Sequence, residues 1–276
     1  MTDFFRFENR TCIQARLVAQ TAVSVGSRVS LLPSGSDLPV IKTPDGLPFI
    51  PGSSLKGVVR SYLERILRTL GDAKKAVQGE RLWACDPLDK ECCCVPPGRK
   101  KELVEEFFLR ARQTGENFDE LLARAIWKES CTACRLFGHQ WMAGRIAFRD
   151  ALLVNAEELP QLVEVRDGVG IDRDLGSAKA SIKYDFETVP RGAVFGFQVV
   201  VENAQDWEVG LLFLGLEALR EGMLPVGGKT TRGLGFVTLE DVTVRSFTVE
   251  DLLLRPEEGK VRTPQEFIDA FTQALQ

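Results

Sequence analysis

The chain of 276 residues contains only one histidine, His139, which excludes a ribonuclease that relies on a pair of histidines as acid and base. A lone histidine is expected on the polar surface or beside a metal site. The chain also lacks an apolar run of the roughly 20 residues that a membrane span requires. Its start, MTDFFRFENRTC, is mixed and charged, unlike a signal peptide. We therefore expect a cytoplasmic protein with no membrane partner.

The composition shows no large excess of either charge. The formal net charge is −4, hydrophobic residues make up 44% and charged residues 27%, as in ordinary soluble globular proteins. This balance argues against nucleic-acid binding over the whole surface, but it leaves room for a local basic groove. A chain of this length can form one large domain or two small ones around a buried core.

Apolar periodicity predicts an α+β protein in which strands and helices alternate in a ferredoxin-like order. The predicted order is strand 11–18, helix 54–70, strand 145–154, strand 193–202, helix 206–222 and strand 235–245, followed by a short helix at 263–275. This order is typical of an antiparallel sheet backed by two helices, as in RNA-recognition motifs. Residues 72–134 interrupt it as an insertion with helical stretches at 100–112 and 119–127, and we treat 1–276 as a single domain.

The stretch from Asp37 to Arg60, DLPVIKTPDGLPFIPGSSLKGVVR, joins a polar loop to the first helix. Ser53 or Ser54 is a suitable N-cap, with Asp206 in the same role for the second long helix. Free N–H groups in the first turn, with Lys56 and Arg60 close behind, would suit a phosphate backbone. The alternative is an ordinary cap followed by a solvated basic face. The preceding loop, SVGSRVSLLPSGSD, carries Arg28 as well as Asp37 and is of the polar kind that often holds functional residues.

The seven cysteines favour a metal site, because a disulfide framework is not expected in a reducing compartment. Cys131 and Cys134 have the two-residue spacing that lets both thiolates reach one ion, and the other ligands of a tetrahedral zinc site would come from Cys85 and the run 92–94. We choose Cys85 and Cys94, because they bracket a loop and adjacent cysteines rarely bind one ion together. A redox pair would need a thioredoxin-like setting that this sequence lacks, and plain core packing is the remaining alternative.

A glycine-rich segment, PVGGKTTRGLGF, spans residues 225–236. Its glycines would let a phosphate approach the backbone closely, and its basic side chains supply charge. The P-loop interpretation fails, because Met223 stands where that motif requires glycine and the segment leads into a strand. The candidate RNA contacts here are Gly227, Gly228, Lys229, Arg232 and Gly233.

The segment PVIKTPDGLPFIPGSSLKGVVR resembles the signature of the repeat-associated mysterious proteins, specifically the backbone subunits of type III CRISPR effector complexes. Three further features resemble this family in the same order. They are the Cys-x-x-Cys before RLFG, the pair of segments GVGIDRDLGSAK and YDFETVP, and the loop GGKTTRGLG. Together they cover most of the chain. The resemblance implies a modified RNA-recognition fold whose copies stack along a guide RNA beside other effector subunits, and it implies that the glycine-rich loop contacts the guide.

The resemblance also implies a thumb-like hairpin at 165–192, which in this family folds over the duplex of guide and target. Alternation of Ile182, Tyr184 and Phe186 agrees with a hairpin strand. An exposed loop is the default alternative for so charged a span. Candidate RNA contacts in this hairpin are Arg166, Arg173 and Lys179.

In catalytic members of the family, an aspartate ahead of the Pro-Val-Ile segment cuts the target RNA, and Asp37 stands at that position. We expect Asp37 to act with Mg²⁺ on the 2′-hydroxyl of the RNA, leaving a cyclic phosphate and a 5′-hydroxyl. One alternative is that Asp37 only caps a turn and that the protein is a structural guide-binding subunit. Another is a zinc-stabilised RNA-binding protein outside CRISPR.

Overall fold

The computed structural model describes residues 6–26, 36–254 and 259–275. Its helices are α1 (Gly52–Asp72), α2 (Pro97–Thr114), α3 (Phe118–Glu129), α4 (Thr132–Phe137), α5 (Asp206–Arg220), α6 (Val249–Leu254) and α7 (Pro264–Ala274). Its strands are β1 (Asn9–Ala19), β2 (Phe49–Ile50), β3 (Ala76–Val77), β4 (Glu80–Arg81), β5 (Ile146–Phe148), β6 (Ala151–Leu152), β7 (Glu164–Ile171), β8 (Ala178–Thr188), β9 (Val194–Glu202), β10 (Val237–Thr248) and β11 (Lys260–Arg262).

The main sheet has five strands in the order β11-β10-β1-β9-β5, and every pair in it is antiparallel. The four strands predicted for the core correspond to β1, β5, β9 and β10. Their order across the sheet is therefore fourth, first, third, second, which is the ferredoxin-like arrangement. The predicted fold class is confirmed.

Helices α1 and α5 pack on one face of this sheet and enclose the main core. On α1, Leu55, Val59, Leu63 and Leu67 recur at four-residue spacing and are each at most 1% exposed. Burial of each such side chain stabilises the fold by about 1.5–3 kcal/mol. The predicted helix at the C-terminal end is α7, which packs on α5 with the rings of Phe213 and Phe267 stacked at 5.7 Å.

The predicted helix caps are wrong. Helix α1 begins at Gly52 with Pro51 in the N-cap position, so Ser53 and Ser54 both lie in the first turn. Proline suits this boundary, because its restricted φ is compatible with the helix and it has no N–H to satisfy. In α5 the N-cap is Gln205, whose N–H donates to Oε2 of Glu208 at 2.9 Å. A glutamate at this third helical position satisfies the cap amide, which shifts the boundary by one residue.

The predicted strand at 145–154 is also interrupted. It forms β5, which pairs with β9, and β6, which pairs with β2. Between these strands, the carboxylate of Asp150 accepts a hydrogen bond from the N–H of Gly52 at 2.8 Å. The chain turns here to satisfy the start of α1, and the regular pairing breaks.

Residues 72–134 contain the two predicted helices, which are confirmed and extend by one to three residues at each end as α2 and α3. Leu103 of α2 and Ile126 of α3 form a small apolar cluster with Val95, which precedes α2. Helix α4, with only six residues, is too short for apolar periodicity to reveal it. Further along the chain, β7 and β8 form the predicted hairpin, in which Asp167 lies opposite Asp185.

Candidate nucleic-acid interface and metal centre

Four of the seven cysteines form a buried cluster at the start of α4. They are Cys85, Cys94, Cys131 and Cys134, whose Sγ atoms all lie within 4.8 Å of one another. Each of them is at most 6% exposed. Cys92 is exposed and Cys93 is half-buried, so the structure brings together the four cysteines that the sequence analysis selected.

Local backbone geometry holds these thiols in place. Cys131 is the N-cap of α4, and its Sγ accepts a hydrogen bond from the N–H of Cys134 at 3.3 Å. The Sγ of Cys94 accepts one from the N–H of Cys131 at 3.0 Å. The Sγ atoms of Cys85 and Cys134 are 3.6 Å apart. Sulfur ligands about 2.3 Å from a tetrahedral zinc ion lie about 3.8 Å from one another. The cluster therefore fits Zn²⁺.

The thiols interact too closely to titrate independently. Hydrogen bonds from the other three thiols, first from Cys134, hold the pKa of Cys131 well below its ordinary value. The same interaction raises the pKa of Cys134. Ionisation of one thiol thus opposes ionisation of its neighbours, and a bound cation would remove this conflict because metal ligation stabilises every thiolate.

Arg60 connects α1 to the cysteine cluster. Its Nη2 lies 3.6 Å from the Sγ of Cys134, its Nη1 donates to the carbonyl oxygen of Gly138 at 2.9 Å, and its Nε donates to Glu64 at 2.7 Å. Two turns further along α1, Arg68 donates to the carbonyl oxygen of Cys85 at 2.7 Å. The predicted phosphate contact at Arg60 therefore coexists with three bonds inside the protein. RNA binding by Arg60 remains a prediction.

His139 lies beside the same centre. Its Nε2 is 2.9 Å from the hydroxyl oxygen of Ser130, the residue before Cys131. Burial lowers the pKa of His139, which favours the neutral ring. Of the two roles considered for this histidine, its place agrees with the one near the candidate metal site.

Asp37 lies against β8 of the hairpin. Its N–H donates to Oδ1 of Asp185 at 2.7 Å, and its own Oδ2 accepts the N–H of Asp185 at 3.1 Å. Leu38 pairs with Phe186 in an isolated parallel bridge, so the segment 36–40 runs beside β8. Asp37 itself is exposed. The arrangement puts a carboxylate at the surface while its backbone is held by the hairpin.

The glycine-rich loop meets the same strand from another side. Nη1 of Arg232 donates to the hydroxyl of Tyr184 at 2.5 Å, and Nζ of Lys229 lies 4.3 Å from the centre of the Phe186 ring. Gly228 is anchored through its N–H to the carbonyl oxygen of Ser24 at 2.8 Å. The segment 36–40, the strand β8 and the loop 225–236 thus form one continuous surface, which we call the hairpin junction.

The predicted RNA contacts at the start of α1 lie outside the hairpin junction. In the first turns of α1, Ser53 is exposed, and Ser54 and Lys56 are half-buried. Burial and the nearby charge of Arg60 lower the pKa of Lys56. Since Asp150 already accepts the N–H of Gly52, one donor of this helix start is satisfied within the protein.

The basic residues of the hairpin are all exposed, and Arg166 pairs with Glu164 at 3.1 Å. Arg173 lies in the turn and Lys179 just after it. Gly227 and Gly233 are exposed in the glycine-rich loop. Arg28 falls outside the described residues. RNA binding at these positions remains a prediction.

Two acidic residues at the hairpin junction were missed by the sequence analysis. Asp185 holds Asp37, and Glu187 accepts the N–H of Val40 at 3.0 Å and pairs with Lys42 at 3.0 Å. Both occur in YDFET, where acidic residues alternate with aromatic ones. This alternation was the available signal, since it places both carboxylates on one face of the strand.

The chain is similar to known proteins over most of its length. Residues 16–238 match the family model described as the RAMP superfamily. A protein of Methanothermobacter thermautotrophicus named "CRISPR system Cms endoribonuclease Csm3" is 26% identical over 256 residues, covering 89% of this chain and 89% of its own length. Proteins of the same name from Streptococcus thermophilus and Methanocaldococcus jannaschii are each 26% identical, covering 82% and 85% of this chain and 85% and 80% of their own lengths. No helix in the described ranges is long and apolar enough to cross a membrane.

Proposed function

The chain belongs to the RAMP superfamily, and from this premise we propose that it is a guide-RNA-binding backbone subunit of a type III CRISPR complex that cleaves guide-matched target RNA. Its partners would be the guide RNA, the target RNA, other effector subunits and further copies of itself along the guide. We propose that residues 1–276 form one RAMP domain, with 72–134 as its zinc-binding insertion and 165–192 as its thumb.

The observation that carries the proposal is the hairpin junction. It joins the exposed carboxylate of Asp37, the hairpin strand β8 and the basic glycine-rich loop through direct contacts. Lys229 and Arg232 supply positive charge on the aromatic face of β8, in a chain whose net charge is negative. A local basic surface of this kind suits an RNA backbone, whose phosphates position the chain without specifying sequence. Base pairing with the guide would select the target.

Asp37 would act on an RNA that carries its own nucleophile. The 2′-hydroxyl loses a proton, its oxygen forms a bond to the adjacent phosphorus, and the bond from phosphorus to the 5′-oxygen breaks as that oxygen takes a proton. The products are a cyclic phosphate and a 5′-hydroxyl. Asp37 would accept the first proton or hold Mg²⁺, which when bound would neutralise charge on the phosphate. Positioning of the RNA would supply much of the rate.

The four clustered cysteines would hold zinc in a structural role. The site offers no open position, since all four thiols are buried and three of its bonds come from the backbone or Arg60. A closed set of four sulfur ligands is typical of structural rather than catalytic zinc.

A second candidate, a structural guide-binding subunit without nuclease activity, is favoured by one observation. Oδ2 of Asp37 accepts the backbone N–H of Asp185, which is what a carboxylate that only holds a loop would do. The two functions differ in whether Asp37 is needed for cutting but not for binding.

The deciding experiment compares native protein with Asp37→Ala in the assembled complex with Mg²⁺ and an end-labelled, guide-matched RNA. We expect the variant to bind target normally and to lose the regular cuts. Equal cutting by both proteins would reject the catalytic role and leave the structural one. Absence of guide RNA from the purified protein would instead favour an RNA-binding protein outside CRISPR.

A further inference from the structure

Asp185 is the residue of the hairpin that holds Asp37, and the proposed reaction assigns it no role. Its Oδ1 accepts hydrogen bonds from the N–H of Asp37 at 2.7 Å and from the hydroxyl of Ser36 at 3.1 Å. Its N–H donates to Oδ2 of Asp37 at 3.1 Å. One residue therefore restrains both the backbone and the carboxylate of Asp37, although 148 positions separate them in the sequence.

The segment has separate anchors beyond Asp185. The carbonyl oxygen of Leu38 accepts the N–H of Glu187 at 3.0 Å, and the N–H of Val40 donates to Oε2 of Glu187 at 3.0 Å. These bonds would keep the segment beside β8 if the side chain of Asp185 were removed. The Asp185 carboxylate therefore fixes the backbone of Asp37, and through it the direction of the Asp37 side chain, more than the attachment of the segment.

We infer that Asp185 is a positioning residue for Asp37 in target cleavage, an inference that rests on the proposed function. The hairpin holds Oδ2 of Asp37, and Oδ1 accepts no hydrogen bond from any described residue. In-line attack requires the acting carboxylate in a narrow range of positions, and a shift of about 1 Å can cost about 100-fold in rate. The role requires an acceptor oxygen at Asp185 and does not require its negative charge.

The test uses Asp185→Ala and Asp185→Asn in the assembled complex, because asparagine keeps an acceptor oxygen while losing the charge. Single-turnover cleavage of guide-matched RNA and target affinity are measured separately. Asp185→Ala should cut about 10- to 100-fold more slowly at unchanged affinity, whereas Asp185→Asn should cut at a rate close to native.

A second measurement does not depend on activity. Hydrogen exchange on the full chain without RNA should show faster exchange of the amide of Asp37 in Asp185→Ala than in the native protein or Asp185→Asn. The amides of α1 serve as the control for intact folding, and they should exchange alike in all three proteins.

Three results would overturn the inference. If Asp37→Ala abolishes cutting but Asp185→Ala cuts at the native rate, the positioning role is wrong and the proposed function stands. If Asp37→Ala cuts like native protein, the proposed catalytic function fails and the inference falls with it. If Asp185→Asn is as slow as Asp185→Ala while its Asp37 amide stays protected, charge is the required property, which contradicts a positioning role.

Discussion

The cysteine cluster and the hairpin junction present anionic groups in opposite ways. The thiols are buried, accept backbone N–H groups and are covered by Arg60. Asp37 is exposed and is held by reciprocal bonds to a single residue of a hairpin. Buried anionic groups need a permanent counter-charge, while an exposed carboxylate can stay free for a transient partner. The first arrangement suits stability, and the second suits chemistry on a ligand that comes and goes.

Removal of one clustered thiol should have the largest effect on stability. It tests whether the cysteine cluster stabilises the fold. Cys131→Ser should lose the bound zinc and at least about 4 kcal/mol of the free energy of unfolding, since metal loss is among the few causes of changes this large. Metal content and urea denaturation would measure both. The matched control is Cys92→Ser, whose thiol is exposed and outside the cluster, and it should keep the metal and the native denaturation midpoint.

If the native protein folds normally without zinc, the metal does not stabilise the fold. Equal loss of zinc in Cys92→Ser would show that the four clustered cysteines are not the ligands.

Arg60→Met should have the next largest effect. It separates two roles of Arg60, because the sequence predicts an RNA contact whereas the structure shows contacts to the cysteine cluster. Among the described residues, the change leaves the buried Glu64 with the longer contact to Arg68, 3.4 Å away. We expect a loss of about 2–3 kcal/mol in the free energy of unfolding and about tenfold faster zinc release to a chelator. The control is Arg68→Met, which should be milder because Arg68 is more exposed and its bond to Glu64 is longer.

A different result would support the phosphate contact at Arg60. Guide binding with a salt slope reduced by about one, at native stability and native zinc retention, would assign the side chain to RNA.

Local sequence patterns were sufficient to predict the structural features that are determined by residues close together in the chain. The order of strands and helices followed from apolar periodicity, and the spacing of Cys131 and Cys134 follows from an N-cap thiol reaching the next turn of its own helix. The α2 and α3 helices were predicted within three residues of their observed ends.

Contacts between distant segments could not be predicted in this way. The bonds between Asp37 and Asp185 depend on which segment lies beside the outer edge of β8, and no pattern within either segment contains that information. Arg60 lies at the helical position expected for a basic face. Its long side chain nevertheless reaches Cys134, because the cysteine cluster packs beside this part of α1. The boundary of α1 shifted for a similar reason, since the carboxylate at its start comes from Asp150.

Gly227→Ala, in the glycine-rich loop of the hairpin junction, should have an intermediate effect on stability. Gly227 has φ +90°, and an added Cβ would lie 2.5 Å from the carbonyl oxygen of Ser24. We expect a loss of about 2 kcal/mol in the free energy of unfolding and weaker guide binding. Gly233→Ala is the matched control, because Gly233 has φ +84° with open space around its Cα, so it should cost about half as much. Equal losses would attribute the effect to backbone conformation alone.

Lys229→Ala and Arg232→Ala should have the smallest effect on the fold and would test the hairpin junction as a surface for RNA. Both side chains contact aromatic residues of β8 from outside the main core, so the denaturation midpoint should change little. If they also neutralise phosphates, each change should weaken guide binding and lower its salt slope by about one. Arg232→Lys separates these roles, because it keeps the charge but shortens the reach to Tyr184. If the salt slope of guide binding keeps its native value in both alanine variants, these cations only stabilise the hairpin. Asp37 would then be the one group of the hairpin junction proposed to act on RNA.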